Sequence, residues 1–461
     1  MRAAIAAGHP ATVEAGAEIL EDGGTAADAA VAGSLASCVA ETIMTGFLGG
    51  GHAIYFEAVS GRARNLDCFC AVPGLGAPPR KPELVHLQVP FGTELVHYAI
   101  GIASCAVPGL PAGLEELWRV HGRLPWRRLV EPALRLAGEG VDLPRAHAAC
   151  LAMLAPAMTM NEGARIYSPG GKLLEAGERL QQPGLGPALE LVAEEGAASA
   201  YRGEIGRALL ALMKERGGLV TQDDLDAYRP DWSEPLELSY QRFGFLTRGG
   251  LSRIPETVPR LPRLRGLSET ERVFALAPVL AAPAGPGGDT TNLGVIDADG
   301  NICVLTSSLG LGSGDFVPGL DLHLNSMLGE ADLLAGPLEP GARMGSMMAP
   351  SIVLDAAARP VLGAGAAGGT RLRTALLQTL TGILDEGLSP PDAVARPRFH
   401  PIGTTVHAEP GVDEGALASL EAQGWHVRRW DAQHHYFGGV SVVTRTDAAG
   451  DPRRNGAARL V

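Results

Sequence analysis

Two adjacent threonines, Thr290 and Thr291, stand at the head of an apolar run, Leu293-Gly294-Val295-Ile296, which ends in the polar turn Asp297-Ala298-Asp299-Gly300-Asn301. Gly285-Pro286-Gly287-Gly288 leads into them. A Pro/Gly segment continues neither a helix nor a ladder and reads as an exposed, deformable lead-in. A chain cut before Thr290 would carry a free α-amine beside a hydroxyl, which is a self-contained base and nucleophile for attack on a carbonyl. Such chemistry needs donors for the tetrahedral oxyanion. Ala364-Gly365-Ala366-Ala367-Gly368-Gly369-Thr370-Arg371 reads as a strand running into a helix, and Gly368 and Gly369 would let backbone N–H groups approach an oxyanion near a helix start. A hairpin through 297–301 would return Ser307 and Ser308 to the side of Thr290, where a hydroxyl can orient the nucleophile. Ser346 is a further small polar group in a loop.

These residues need a scaffold of strands and helices. The pattern predicts helices over Ala11–Asp22, Ala26–Ala40 (capped by Thr25), Trp126–Glu139, Pro144–Ala155 and Glu204–Arg216. It also predicts a short helix opened by Thr221 and Asp224. Strands are expected at His52–Glu57, Asn65–Ala71, Leu293–Asp297, Ile302–Ser307, Ile352–Leu354 and Val440–Thr444, with a helix over Arg371–Glu386. The stretch 229–288 reads as irregular apart from one helix near Ser268–Ala277. Strands and helices on both sides of Thr290 point to a layered α/β or α+β architecture.

The 461 residues, 61 glycines and 46% hydrophobic content describe a loop-rich globular enzyme. A net charge of −13 argues against nucleic acid or an anionic membrane surface as partner. No window is apolar enough to span a bilayer, and the N-terminal alanine run stops at Gly8-His9-Pro10, so a cytoplasmic location is expected. Six cysteines without a C-x-x-C pair read as reduced, buried thiols, with Cys68-Phe69-Cys70 taken as strand. Gly46 to Gly51 has the look of half a nucleotide fingerprint, but it precedes a strand rather than opening a helix. No metal or cofactor is needed for the threonine mechanism.

Taken in order, the segments resemble the gamma-glutamyltranspeptidase family of N-terminal-nucleophile hydrolases along nearly the whole chain. The matching segments include His9 to Gly16, Asp22 to Ala30, Gly46 to Gly51, Val107-Pro108-Gly109, Tyr201 to Glu204, Thr290-Thr291, Asp299-Gly300-Asn301, Leu324-Asn325, Met348-Ala349-Pro350, Gly368-Gly369, Pro397-Arg398 and Phe437-Gly438-Gly439. The resemblance implies an α+β fold, a four-layer αββα sandwich. It implies autoproteolysis into 1–289 and 290–461, two segments that stay associated as one folded unit. It assigns Thr290 as nucleophile, Ser308 as its positioning hydroxyl, and Gly368 and Gly369 as the oxyanion hole. The substrate would be a small gamma-glutamyl compound or related amide, with water or an amine resolving the acyl-enzyme.

Departures from the family pattern fall on the substrate-binding positions. Phe69 stands where the family's carboxylate-binding arginine is expected, and phenylalanine makes no bidentate contact with a carboxylate. Gly310 stands where the family has asparagine, Ser346-Met347 replaces a serine pair, and Glu330 is a loosely aligned acid for the α-amine; Asn325 completes the substrate-binding set. Arg343, Arg371 and Arg373 are candidates to replace the lost cation. Two alternatives follow: an amidase or acylase for a non-glutamyl acyl group, and an uncleaved, non-catalytic relative serving as an interaction module.

Overall fold

The computed structural model describes residues 2–91, 94–281, 290–334 and 338–461. The Pro/Gly lead-in and Asp289 lie outside the described residues. One sheet contains β1 (Ala4–Ala7), β2 (Gly50–Glu57), β3 (Arg62–Cys68), β4 (Thr291–Ile296) and β5 (Ile302–Ser308). Its order is Ala457–Leu460, β1, β4, β5, β2, β3, Asp231–Ser233, with every pairing antiparallel. The second sheet contains β6 (Ser351–Leu354), β7 (Pro360–Ala367) and β8 (Gly439–Thr444). Its order is Ala448–Ala449, β8, β7, β6, Phe243–Thr247, Leu236–Tyr240.

The two sheets pack face to face, and the period-2 alternation of each strand assigns its side chains to layers. In β1, Ala4 and Ala6 join the inter-sheet core with Ile54, Phe56, Ile296, Ile302, Val304, Ile352 and Val443, whereas Ile5 and Ala7 face the helices. Small residues bring the sheets close. A Cβ at Gly365 would lie 2.1 Å from Asn292 Nδ2, and one at Gly363 would lie 2.7 Å from Ile302 Cγ2. Helices α1 (Pro10–Glu21) and α2 (Ala26–Ala40) cover the outer face of the first sheet, and α3 (Leu372–Thr381) covers that of the second. This is the four-layer αββα sandwich.

The helix start signals act as read. Thr25 and Asp28 form a reciprocal capping box on α2, as do Thr221 and Asp224 on Gln222–Ala227. The polar turn after β4 is structural. Asp297 accepts from Asp299 N, Asn301 N and Asn301 Nδ2, and also from Ala26 N at the start of α2 (2.8 Å), while Asn301 Oδ1 accepts from Ala58 N. One short loop thus fixes the β4–β5 hairpin against α2 and the β2–β3 connection.

Two expectations are corrected, and one run without an expected element finds its place. The region after Tyr228 is not irregular: it supplies a strand at the edge of the first sheet and two strands of the second, Leu236–Tyr240 and Phe243–Thr247, before a capped helix, Glu269–Leu280. The alanine run 4–7 is a strand of the first sheet, held between β4 and Ala457–Leu460. The strand at 62–68 stops at Cys68, so Phe69 and Cys70 form the loop beyond it; all six cysteines are buried.

A buried charge network fixes the C-terminal loop beside β8. Arg453 donates to Glu409 through Nε (2.6 Å) and Nη2, and to Asp451 Oδ1 through Nη1 (3.2 Å). Asp451 Oδ2 accepts from Val440 N (2.9 Å) and pairs with Arg398 at 2.6 Å. Burial alone would raise Asp451, but Arg398 and Arg453 hold it below the usual carboxylate range. Arg453→Met leaves Glu409 without its guanidinium and Asp451 with one of two. Truncating one member of a buried pair costs about 3–5 kcal/mol. The expected result is a fall of that size in unfolding free energy, read by urea denaturation.

Candidate active site

Thr290 sits immediately before β4, buried, and its side of the strand is set by the hairpin register. Thr291 pairs with Ser307 and β5 runs on to Ser308, which returns to Thr290 as the spacing predicted. Glycines admit this approach: a Cβ at Gly49 would lie 2.3 Å from Ser308 O. Ser308 Oγ accepts from Gly310 N at 2.8 Å, so the hydroxyl is oriented by its own turn.

Beyond the end of β7 the chain turns through Gly368 (φ 121°, ψ 34°) and Gly369 (φ 54°) into a short turn and α3. Among the described residues neither amide donates to a backbone carbonyl. A Cβ at Gly368 would lie 2.9 Å from Gly438 Cα, so the turn is pressed against the Phe437-Gly438-Gly439 segment that enters β8. A pair of amides at a strand–helix turn is chemically able to receive an oxyanion.

Thr290 lines two cavities. One is also lined by Phe69, Ser308, Met327, Glu330, Leu333, Ser346, Met347, Met348, Gly369 and Leu372. It brings together seven of the ten residues singled out from the sequence. Gly368 stands one residue behind Gly369. Gly310 lies beneath the cavity floor, where a Cβ would collide with Glu330 Oε1 at 2.3 Å. Asn325 is placed elsewhere: fully buried, it accepts from Ala106 N (2.9 Å) and donates to Leu48 O and Ala106 O (both 2.9 Å), so it clamps backbone rather than facing the cavity.

None of the three candidate replacement arginines lines this cavity. Arg343 donates to Phe69 O (2.7 Å) and Arg229 O and stacks on Tyr228; Arg373 donates to Thr257 Oγ1 and Leu280 O; Arg371 donates to Tyr436 O and Thr370 Oγ1. Ser346 is turned inward, its Oγ accepting from Met348 N at 3.2 Å. The cavity therefore presents one carboxylate, hydroxyls and a predominantly apolar wall, with no cation among its lining residues. Among the described residues no three His, Cys, Asp or Glu converge to hold a metal.

The second cavity lies on the other side of Thr290 and holds a residue that the sequence reading passed over. Glu41, buried at the end of α2, accepts from Thr291 Oγ1 (2.5 Å) and Thr12 Oγ1 (2.7 Å) and lines this cavity with His147 and Arg454. The available signal was a lone carboxylate closing an alanine-rich helix. Burial pushes Glu41 up from 4.5 to about 6, against the opposing pull of the two threonines and Arg454. A carboxyl raised in the folded state contributes stability that is complete below its unfolded value and lost as pH rises through the folded one. Relative to Glu41→Gln, the native chain should lose about 1.5 kcal/mol as pH rises from about 4.5 to about 6.5, because a tenfold change in proton concentration is worth about 1.4 kcal/mol. Urea denaturation at several pH values checks this; a pH-independent difference contradicts it.

The family profile described as Gamma-glutamyltranspeptidase matches residues 12–254 and 268–461. The chain belongs to the gamma-glutamyltranspeptidase family. Over 93% of its length it is 28% identical to an Acylase ACY 1 proenzyme of Pseudomonas sp. (strain SE83), covering 88% of that protein. It is 25% identical to the Glutathione hydrolase proenzyme of Bacillus subtilis (strain 168), covering 98% of this chain and 90% of the relative. The solved cephalosporin acylase from Bacillus halodurans superimposes with a TM-score of 0.83 at 22% identity, over 99% of this chain and 95% of that one, a likeness of fold. This member of the gamma-glutamyltranspeptidase family is an N-terminal-nucleophile hydrolase or acyltransferase that cleaves a gamma-glutamyl or related amide bond.

Proposed function

We propose that this enzyme is an acylase that removes an apolar acyl group lacking an α-carboxylate, after cutting its own chain between Asp289 and Thr290. The observation that carries this reading is the cavity at Thr290: Phe69 and methionines form its wall, and no lining residue is cationic. A glutamyl α-carboxylate seated there would be buried without a partner, whereas an apolar chain would replace water against Phe69, Met327, Met347, Met348 and Leu372. Glu330 would take a hydrogen-bond donor on the acyl group. The Acylase ACY 1 proenzyme similarity over most of the chain supports the same reading.

In this mechanism the Thr290 amine, once freed, takes the proton from its own hydroxyl as Oγ attacks the amide carbonyl. The Gly368 and Gly369 N–H groups receive the developing oxyanion, and Ser308 holds the nucleophile in line. The amine leaving group departs with the proton, and water or an amine acceptor resolves the acyl-threonine ester. Segments 1–289 and 290–461 stay together because β4 is hydrogen-bonded to β1 on one side and β5 to β2 on the other.

The test is a pair of anilides that share a leaving group. An apolar acyl anilide should exceed gamma-glutamyl anilide in kcat/KM by at least about a hundredfold, the scale set by an unpaired buried carboxylate. Preference for the gamma-glutamyl compound would overturn the proposal.

A further inference from the structure

A second polar crevice lies behind Phe69, between β3 and the Phe243–Thr247 strand and open to solvent at the edge of the sandwich. His52, Asn65, Asp67 and Arg248 line it. It shares no lining residue with the Thr290 cavity, although it abuts the same wall from the opposite side.

The charges there do not balance. Arg248 donates only to carbonyl oxygens, those of Ser346 (3.3 Å) and Met348 (3.1 Å), and has no carboxylate within ion-pair distance among the described residues. Its position is built in: Gly250 has φ 107°, and a Cβ there would lie 2.8 Å from Arg248 Nη1. Burial pulls Arg248 below its ordinary value, with only the charge of Asp67 opposing. Asp67 is already engaged by Arg343 Nε (3.4 Å), His52 Nδ1 (3.7 Å) and Phe69 N (2.9 Å). The other acid at the crevice, Glu234, is exposed and sits 3.6 Å from Arg62. A guanidinium withdrawn from water without a counter-charge is costly, and an anionic ligand removes that cost.

Two further polar atoms at the crevice are buried without a hydrogen-bond partner among the described residues. They are Nε2 of His52, which is 1% exposed, and Oδ1 of Asn65, which is 5% exposed. The amide nitrogen of Asn65 is committed to Thr247 O (3.1 Å), which leaves the oxygen as the acceptor on offer. Burial, Arg248 and Arg343 keep His52 neutral; with Nδ1 toward Asp67, its Nε2 is an acceptor. The crevice thus offers a guanidinium, an acceptor imidazole nitrogen and one amide oxygen that needs a donor.

We infer that this crevice binds a small carboxylate bearing an adjacent N–H or O–H, the chemistry of an amino acid or 2-hydroxy acid. The carboxylate meets Arg248, and the donor meets Asn65 Oδ1. An amine without a carboxylate leaves Arg248 uncompensated.

Titration calorimetry of the full-length protein with glycine and glycolate, against acetate and methylammonium, tests this. Glycine or glycolate should bind at one site, acetate about tenfold more weakly, and methylammonium not at all. Arg248→Met should abolish binding, and Asn65→Leu should remove the preference of glycolate over acetate; the second variant keeps the question open to decision if the first fails to fold. Glu330→Gln, in the Thr290 cavity, should leave glycine binding unchanged. Absence of glycine and glycolate binding, equal affinity in a folded Arg248→Met, or loss of binding in Glu330→Gln would each overturn the inference.

Discussion

Thr290→Ala is expected to yield a folded single chain of 461 residues with no measurable amidase activity, a loss of at least about 10⁴-fold in kcat. The expectation rests on position. Thr290 is buried at the head of β4 and lines both the cavity of Phe69, Ser308 and Gly369 and the cavity of Glu41. Removing one hydroxyl and one methyl from such a site costs stability on the order of 1–2 kcal/mol, which a domain of this size tolerates. Both self-cleavage and turnover require an attacking oxygen, so both should vanish together. Thr290→Ser retains the oxygen and should retain cleavage at a reduced rate. Electrophoresis under denaturing conditions, circular dichroism and an anilide assay on the three proteins separate loss of chemistry from loss of fold. Turnover surviving in Thr290→Ala would place the nucleophile elsewhere.

Gly368→Ala carries the second-largest expected effect. The backbone at φ 121°, ψ 34° is a region that L side chains rarely occupy, and a methyl there meets Gly438 Cα at 2.9 Å. Strain of this kind is worth about 1–3 kcal/mol, and the chain can relieve it only by moving the turn. Moving the turn re-aims the Gly368 and Gly369 amides, and losing one well-placed oxyanion donor costs about 10²–10³ in kcat. The expected signature is a kcat decrease of that size with KM little changed, because the acyl cavity wall is untouched. A variant that unfolds or keeps full kcat would show that the turn is structural only.

The catalytic half of this arrangement was legible because its signals are local. A Thr-Thr before an apolar strand, a polar turn and a returning Ser-Ser define a hairpin whose register follows from its length, and Gly-Gly between strand and helix defines a donor turn. The middle of the chain was less legible. Leu236–Tyr240 is the edge strand of its sheet and Phe243–Thr247 the strand beside it, both within a Pro- and Arg-rich stretch, and exposure at the edge dilutes the alternation that marks a strand. Ala4–Ala7 carries no β-branched pattern except Ile5. It is a strand because it is hydrogen-bonded between β4 and Ala457–Leu460, a tertiary cause that local propensity does not encode. Asn325 illustrates the converse: its type suits substrate binding, yet the fold spends all of its donors and acceptors on backbone. The replacement of arginine by Phe69 was visible as an identity, but only the placement of Arg343, Arg371 and Arg373 shows that none of them lines the cavity.

The most direct test of the central claim is the intact mass of the purified protein under denaturing conditions, before and after a brief exposure to an acyl anilide. Two chains that meet between Asp289 and Thr290, with the acyl mass added transiently to the 290–461 chain, are the predicted result. A single uncut chain, or an acyl adduct confined to residues 1–289, would contradict the assignment of Thr290 as an N-terminal nucleophile.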